Sequence, residues 1–200
     1  MLQENSNPES PDKAYIALIE NAPLTLSDRI DTLLVYCQEK PATEVMIYKT
    51  EDSSPIGKAC PLDEGQIEEV ASILEKLGLF YKVGDMRSWK RGQYGPVEFV
   101  DIALARDEST LSRFAKAKEN GDERELERLY GFPESAISAY LGEVPACRYE
   151  EILDYIGPSP LAFFTNYVFS REKYEEEIEN TSKRWHEAVK RLSPKLYEMI

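Results

Sequence analysis

Leu79-Phe80-Tyr81-Lys82-Val83, Gly84-Asp85-Met86-Arg87-Ser88-Trp89-Lys90-Arg91-Gly92-Gln93-Tyr94-Gly95-Pro96 and Val97-Glu98-Phe99-Val100-Asp101-Ile102-Ala103-Leu104-Ala105 follow one another and decide the fold class of this chain. The outer segments are short and rich in β-branched and aromatic residues, which suit a pleated surface. The middle one carries Gly84, Gly92, Gly95 and Pro96. It reads either as a long hairpin loop or as strand ends around a shorter turn. Upstream, Gly78 closes a helix that Asp63 and Gln66 open as a capping box, with Ile67, Val70, Ala71, Leu74 and Leu77 inward. Before that helix, 44–49 reads as a strand and 53–57 as a loop. Downstream, Asp107 caps a helix through Lys118, with Leu111, Phe114 and Ala115 inward and Asn120-Gly121 as its stop. Strand, helix, strand, strand, helix implies an α+β fold, a small three-stranded sheet with helices on one face.

Further out, the chain is helical on both sides. Residues 14–20 form a short helix, and Thr25 or Ser27 caps a second with Leu26, Ile30, Leu33 and Cys37 on one face, ended before Pro41. Residues 1–12 read as a disordered tail, lacking the basic and apolar regions of a signal peptide. From Asp122 onward the chain reads as all-helical: 122–130, 133–141 and 149–156, then a helix from Ser170 to Ser193. The apolar run 161–169 fits a buried strand or a buried helix. The expected partition is therefore an α+β part, 13–121, and a helical C-terminal part, 122–200, packed on it as a single domain.

The totals exclude several functions. The chain has 200 residues, 42% of them hydrophobic, with no apolar run long enough for a transmembrane helix, so the expected address is the cytoplasm. A net charge of −13 repels nucleic acid phosphates and anionic membrane surfaces, making both poor partners. Cys37, Cys60 and Cys147 are scattered outside any ligand spacing, and His186 is the chain's one histidine. No metal site and no cofactor are expected. Neither phosphate-binding glycine pattern, GxxxxGK[ST] or GxGxxG, is present.

Arg128-Leu129-Tyr130-Gly131-Phe132-Pro133-Glu134-Ser135-Ala136, followed by Ile137-Ser138-Ala139-Tyr140-Leu141-Gly142, reads as a helix stopped by Gly131 and a second entered through Pro133 and closed by Gly142. This corner resembles a family of uncharacterised prokaryotic proteins marked by a Leu-Gly-Tyr-Pro-Glu-Cys-Cys pattern. Leu129, Gly131, Phe132 in place of Tyr, Pro133 and Glu134 carry the resemblance, as does the preceding Asn120-Gly121-Asp122. Ser135 and Ala136 stand where the resemblance would place adjacent cysteines, so thiol chemistry is not carried over. Glu134 remains near the positive end of a helix, beside backbone N–H groups suited to an anion.

Residues 87–94 hold the chain's basic and aromatic cluster. Arg87, Trp89, Lys90, Arg91 and Tyr94 could pair a small anionic ligand and stack on a ring, with Glu134 or Tyr140 completing a pocket. Cys147, near a helix start, is either a thiol lowered by the helix dipole or a small apolar residue. His186 lies on an amphipathic helix, with Glu187 pointing elsewhere on it. Glu175, Glu176 and Glu177 are consecutive on a helix and do not converge on one ion. Ile178, Trp185 and Leu192 recur every seven residues, with Tyr174, Thr181 and Ala188 alongside. That stripe suits the chain's own core or a homo-oligomer through the C-terminal helix. The expected function is binding, through self-association or a protein partner. The alternative is a small enzyme or ligand-binding protein with an anion-holding pocket near 87–94.

Overall fold

Pro96–Ala105 is the central strand of the sheet because its alternate side chains meet two different apolar layers. The computed structural model describes residues 12–48, 62, 64–90 and 96–200. In chain order the elements are α1 (Lys13–Glu20), α2 (Leu26–Tyr36), β1 (Ala42–Tyr48), α3 (Glu64–Lys76), β2 (Phe80–Val83), β3 (Arg87–Lys90) and β4 (Pro96–Ala105). There follow α4 (Glu108–Asn120), α5 (Glu123–Leu129), α6 (Glu134–Tyr140), α7 (Tyr149–Ile156) and a 3-10 helix (Pro160–Thr165). The chain ends in α8 (Tyr174–Glu177), a π-helical segment (Ile178–Ser182), α9 (Lys183–Leu192) and α10 (Pro194–Tyr197). The expected α+β class with a helical C-terminal part is what the chain adopts.

Two details of the sheet differ from expectation. It has four strands, all antiparallel to β4. β1 lies on one side of β4, while β2 and β3 pair with it in succession on the other. Part of the 84–96 segment is thus strand: Arg87 sits opposite Phe99 and Trp89 opposite Val97. Helices also cover both faces. Val45, Ile47, Val100, Ile102 and Leu104 face a large core with α2, α3 and α9. Ala42, Ala103 and Ala105 face Phe114 of α4 and Leu129 of α5. The three alanines are small enough for α4 to approach closely, and the 3.6-residue period of α4 delivers Phe114 to the gap.

The helix ends follow their caps. Thr25, Asp107 and Asp122 each accept a backbone N–H of their own first turn. The proposed Asp63 cap, the 53–57 loop, Lys49, Cys60 and residues 1–11 lie outside the described residues. The 161–169 run is neither the strand nor the regular helix considered. It is a 3-10 helix opened by Ser159 and Pro160, followed by an extended stretch where Cys147 N–H donates to Phe169 O (2.8 Å). The C-terminal helix begins at Tyr174 and is not continuously α. Over Ile178–Ser182 the bonds lengthen to π type, with Lys183 N–H donating to Ile178 O. The Tyr167 hydroxyl donates to the Glu177 carbonyl (3.4 Å) and lies 3.3 Å from Ser182 Oγ. A side chain thus packs against the backbone of the π turn and hydrogen-bonds at its start.

The seven-residue stripe packs inside the chain. Ile178 joins a small cluster with Ile152, Leu161 and Phe169. Trp185, Ala188 and Val189 join the large core beside Val45 and Ile102. A homo-oligomer would need a surface other than this stripe. Ser193 Oγ donates to Glu20 (2.6 Å) and Lys195 Nζ to Asn21 (2.8 Å), tying α10 to the end of α1.

Candidate functional site

The Arg128–Gly142 corner is a helix end that its sequence dictates atom by atom. Gly131 has φ +88°. Its N–H donates to Arg128 O (3.0 Å), and Phe132 N–H donates to Glu127 O (3.1 Å). That pair of bonds satisfies two carbonyls α5 would otherwise leave open. A Cβ on Gly131 would lie 3.3 Å from the Trp185 ring, so the backbone needs glycine for both its conformation and its close approach.

Beneath the corner is a cavity of about 350 Å³. α2 and the turn after it supply Asp31 and Lys40, β1 supplies Thr43 and Glu44, and α5 with its C-terminus supplies Glu127 and Tyr130. The corner and α6 add Phe132, Ala136, Ile137 and Tyr140, and the stretch after the 3-10 helix adds Asn166, Tyr167 and Val168. The aromatic walls touch one another: Tyr130–Phe132 centroids are 6.4 Å apart and Phe132–Tyr167 4.9 Å. Tyr140, 49% exposed, stands at the mouth.

Lys40 forms the floor and is 6% exposed. Its Nζ lies 2.6 Å from Asp31 Oδ1 and 4.4 Å from the Trp185 ring centroid. The charge is held by a carboxylate on one side and an aromatic face on the other, which offsets its desolvation. Trp185 is fixed in turn by Nε1–H donation to Glu39 O (3.2 Å). Asp31 Oδ2 also meets the Thr43 hydroxyl at 3.4 Å.

The other acidic groups are less balanced. Glu44 is ion-paired with Lys118 of α4. Glu127 is half-buried, and among the described residues its carboxylate has no hydrogen-bond or ion-pair partner. Burial, and then the neighbouring Glu123, raises its carboxyl above the ordinary range. Burial also pushes the Tyr130 hydroxyl up, followed by the negative charges of Glu44, Glu127 and Asp31. Three carboxylates therefore act electrostatically on the same hydroxyl. Among the described residues, no group of three or more His, Cys, Asp or Glu is placed to hold a metal ion.

The residues named from sequence lie elsewhere. Arg87 is ion-paired with Asp101 and lies over the Phe99 ring at 4.9 Å. Trp89 packs between Phe99 (4.6 Å) and Tyr48 (6.2 Å). Arg91, Tyr94 and the Lys90 side chain lie outside the described residues. Glu134 is on the outer side of the corner, bridged to Arg124 (3.0 Å) and Arg128, and these arginines hold its carboxyl below the usual range. The α6 end is thus occupied by an ion-pair network, and of the described members of this group Tyr140 lines the cavity.

Cys147 does not have a lowered pKa. Burial and Glu151, whose Oε2 is 3.2 Å from its sulfur, push the thiol up to about 11. Nor does Glu187 point away from His186. Its Oε1 lies 3.1 Å from Nδ1, while Nε2 faces the Tyr197 hydroxyl at 3.1 Å, so the ring is held on both sides. Lys40, Asp31 and Glu127 were not singled out from sequence. A lysine just past a helix end reads as dipole compensation, and only the contact with Trp185, far along the chain, reveals its burial. Comparison with protein-family models, curated proteins and solved structures finds no match to this chain, so its functional reading rests on this geometry.

Proposed function

We propose that this protein acts by binding, and that the cavity beneath the Arg128–Gly142 corner takes a small molecule. The carrying observation is the cavity itself: about 350 Å³, walled by aromatic rings, and lined by polar groups from four separate parts of the chain. Concave, mostly apolar sites with a few converging polar groups are where small ligands bind. The reading includes kinship with the Leu-Gly-Tyr-Pro-Glu-Cys-Cys family. Ala136, where that pattern has a cysteine, lines the cavity with a methyl group, which favours binding over thiol chemistry. A cytoplasmic setting is consistent with free Cys37 and Cys147. Among the described residues no helix is long and apolar enough to cross a membrane.

The test is a fragment screen by ligand-observed NMR on the wild type and on Ala136→Leu, which fills the cavity with an apolar side chain. Fragments that bind the wild type and lose contact with the folded variant support the reading. Fragments that bind both equally, or none that bind the wild type, overturn it. A second reading, a protein partner or a second copy, is favoured by the exposed Val144, Tyr149 and Leu153 around α7. Light scattering giving one chain of 22.9 kDa at high concentration excludes the second copy.

A further inference from the structure

Resting on the reading of this cavity as a small-molecule site, we infer that its ligand is a small organic cation, held by the Glu127 carboxylate and the faces of Tyr130, Phe132 and Tyr140. The floor already shows the chemistry. One ammonium, that of Lys40, is held there by the Asp31 carboxylate and the Trp185 ring. This pair is internally neutral. The walls then add the Glu127 carboxylate, with Glu123 beside it on the preceding turn of α5 and no side-chain cation paired with it among the described residues. Glu44 shares Lys118 with Asp101, whose Oδ2 is 4.0 Å from the same ammonium, and Asp101 also draws Arg87. The acidic side of the cavity is therefore under-compensated.

Shape separates the ligand classes. A bare metal ion needs several ligands converging at short range, and the described residues offer no such group. An anion would meet Glu127 and the carboxylates around the Tyr130 hydroxyl, and would have to take Lys40 from Asp31. A cation with an alkyl or methylated head meets ring faces and one open carboxylate, the arrangement by which aromatic cages recognise ammonium groups. A net charge of −13 raises the local concentration of such a ligand at low salt.

The experiment titrates choline, its uncharged tert-butyl isostere and a tert-butyl carboxylate of the same size. The protein is the Trp89→Phe variant, in which Trp185 is the sole tryptophan and reports from behind the Lys40 ammonium. Choline is expected to change Trp185 emission saturably and bind about tenfold tighter than its isostere, from one cation–π and one charge contact. Glu127→Gln is expected to remove most of that preference, and Ala136→Leu to remove binding of any probe. If the isostere or the carboxylate binds as well as choline and Ala136→Leu abolishes it, the cation assignment is overturned while the cavity remains a binding site. If none of the three binds, both readings fall.

Discussion

At the scale of single residues, two desolvated carboxyls, one half-buried and one buried, shape the pH dependence of stability. Asp28, on the first turn of α2, is raised to about 6 by burial, with Asp31 adding to the shift and the Thr25 hydroxyl (2.7 Å) opposing it. Glu177 is 2% exposed. Its Oε2 accepts from Ser170 N–H at 3.0 Å, its Oε1 has no hydrogen-bond partner among the described residues, and burial raises it as well, with the Ser135 side chain opposing the shift. A carboxyl with a raised folded-state pKa stabilises fully below its unfolded value, and that contribution fades as pH rises through the folded one. Asp28 is therefore expected to withdraw on the order of 1–2 kcal/mol between about pH 4 and pH 6, allowing for its partial exposure. Urea melts of wild type and Asp28→Asn across that range check this: the wild type should lose stability relative to the variant as pH rises. A constant difference across the range contradicts the assignment. Neither carboxyl was legible in the sequence, where Asp28 is an ordinary first-turn acid and Glu177 the last of three consecutive glutamates.

Among the elements, the corner is the part most legible in advance. Gly131, Pro133 and Gly142 announce two helix ends through conformation alone, and such local chemistry survives any tertiary context. Gly131→Ala is expected to destabilise by about 1–2 kcal/mol from its positive φ, with more from crowding against Trp185. Calorimetry showing an unchanged melting temperature would sink that account. The sheet was half legible. Ile102-Ala103-Leu104-Ala105 is apolar on both faces, which signals helices on both sides, but the alternation of large and small residues reads equally as a one-faced strand. β3 was hidden by its arginine and lysine: they suggest a loop until the Asp101 carboxylate beneath Arg87 is placed. The cavity was least legible, because Lys40, Glu127 and Tyr167 meet only through tertiary contact.

Across the whole molecule, the two parts expected from sequence share one core. Ile102 and Val45 of the sheet pack in the same cluster as Trp185, Val189 and Leu196. Unfolding is expected to be a single cooperative transition, and a chain ending at Ser170 should not retain a folded sheet. Coincident far-ultraviolet dichroism and Trp185 fluorescence melts of the Trp89→Phe variant check this; separated transitions would show the C-terminal helices to be an independent unit. The π segment gives that cooperativity a phase. The start of the π segment turns Ile178 toward the cluster beneath α7, and α9 turns Trp185 toward the sheet and the Lys40 side chain. The wider turn at Ile178–Ser182 keeps both faces aligned, and one residue accounts for roughly 100° of helix rotation. Deleting Asn180 would give a more regular helix and a worse protein: either Ile178 or Trp185 would swing out of its socket, and the Tyr167 hydroxyl would lose its carbonyl. The irregular turn is thus a one-residue gear between two cores, and deleting the exposed Asn180 is expected to cost far more than replacing it with alanine.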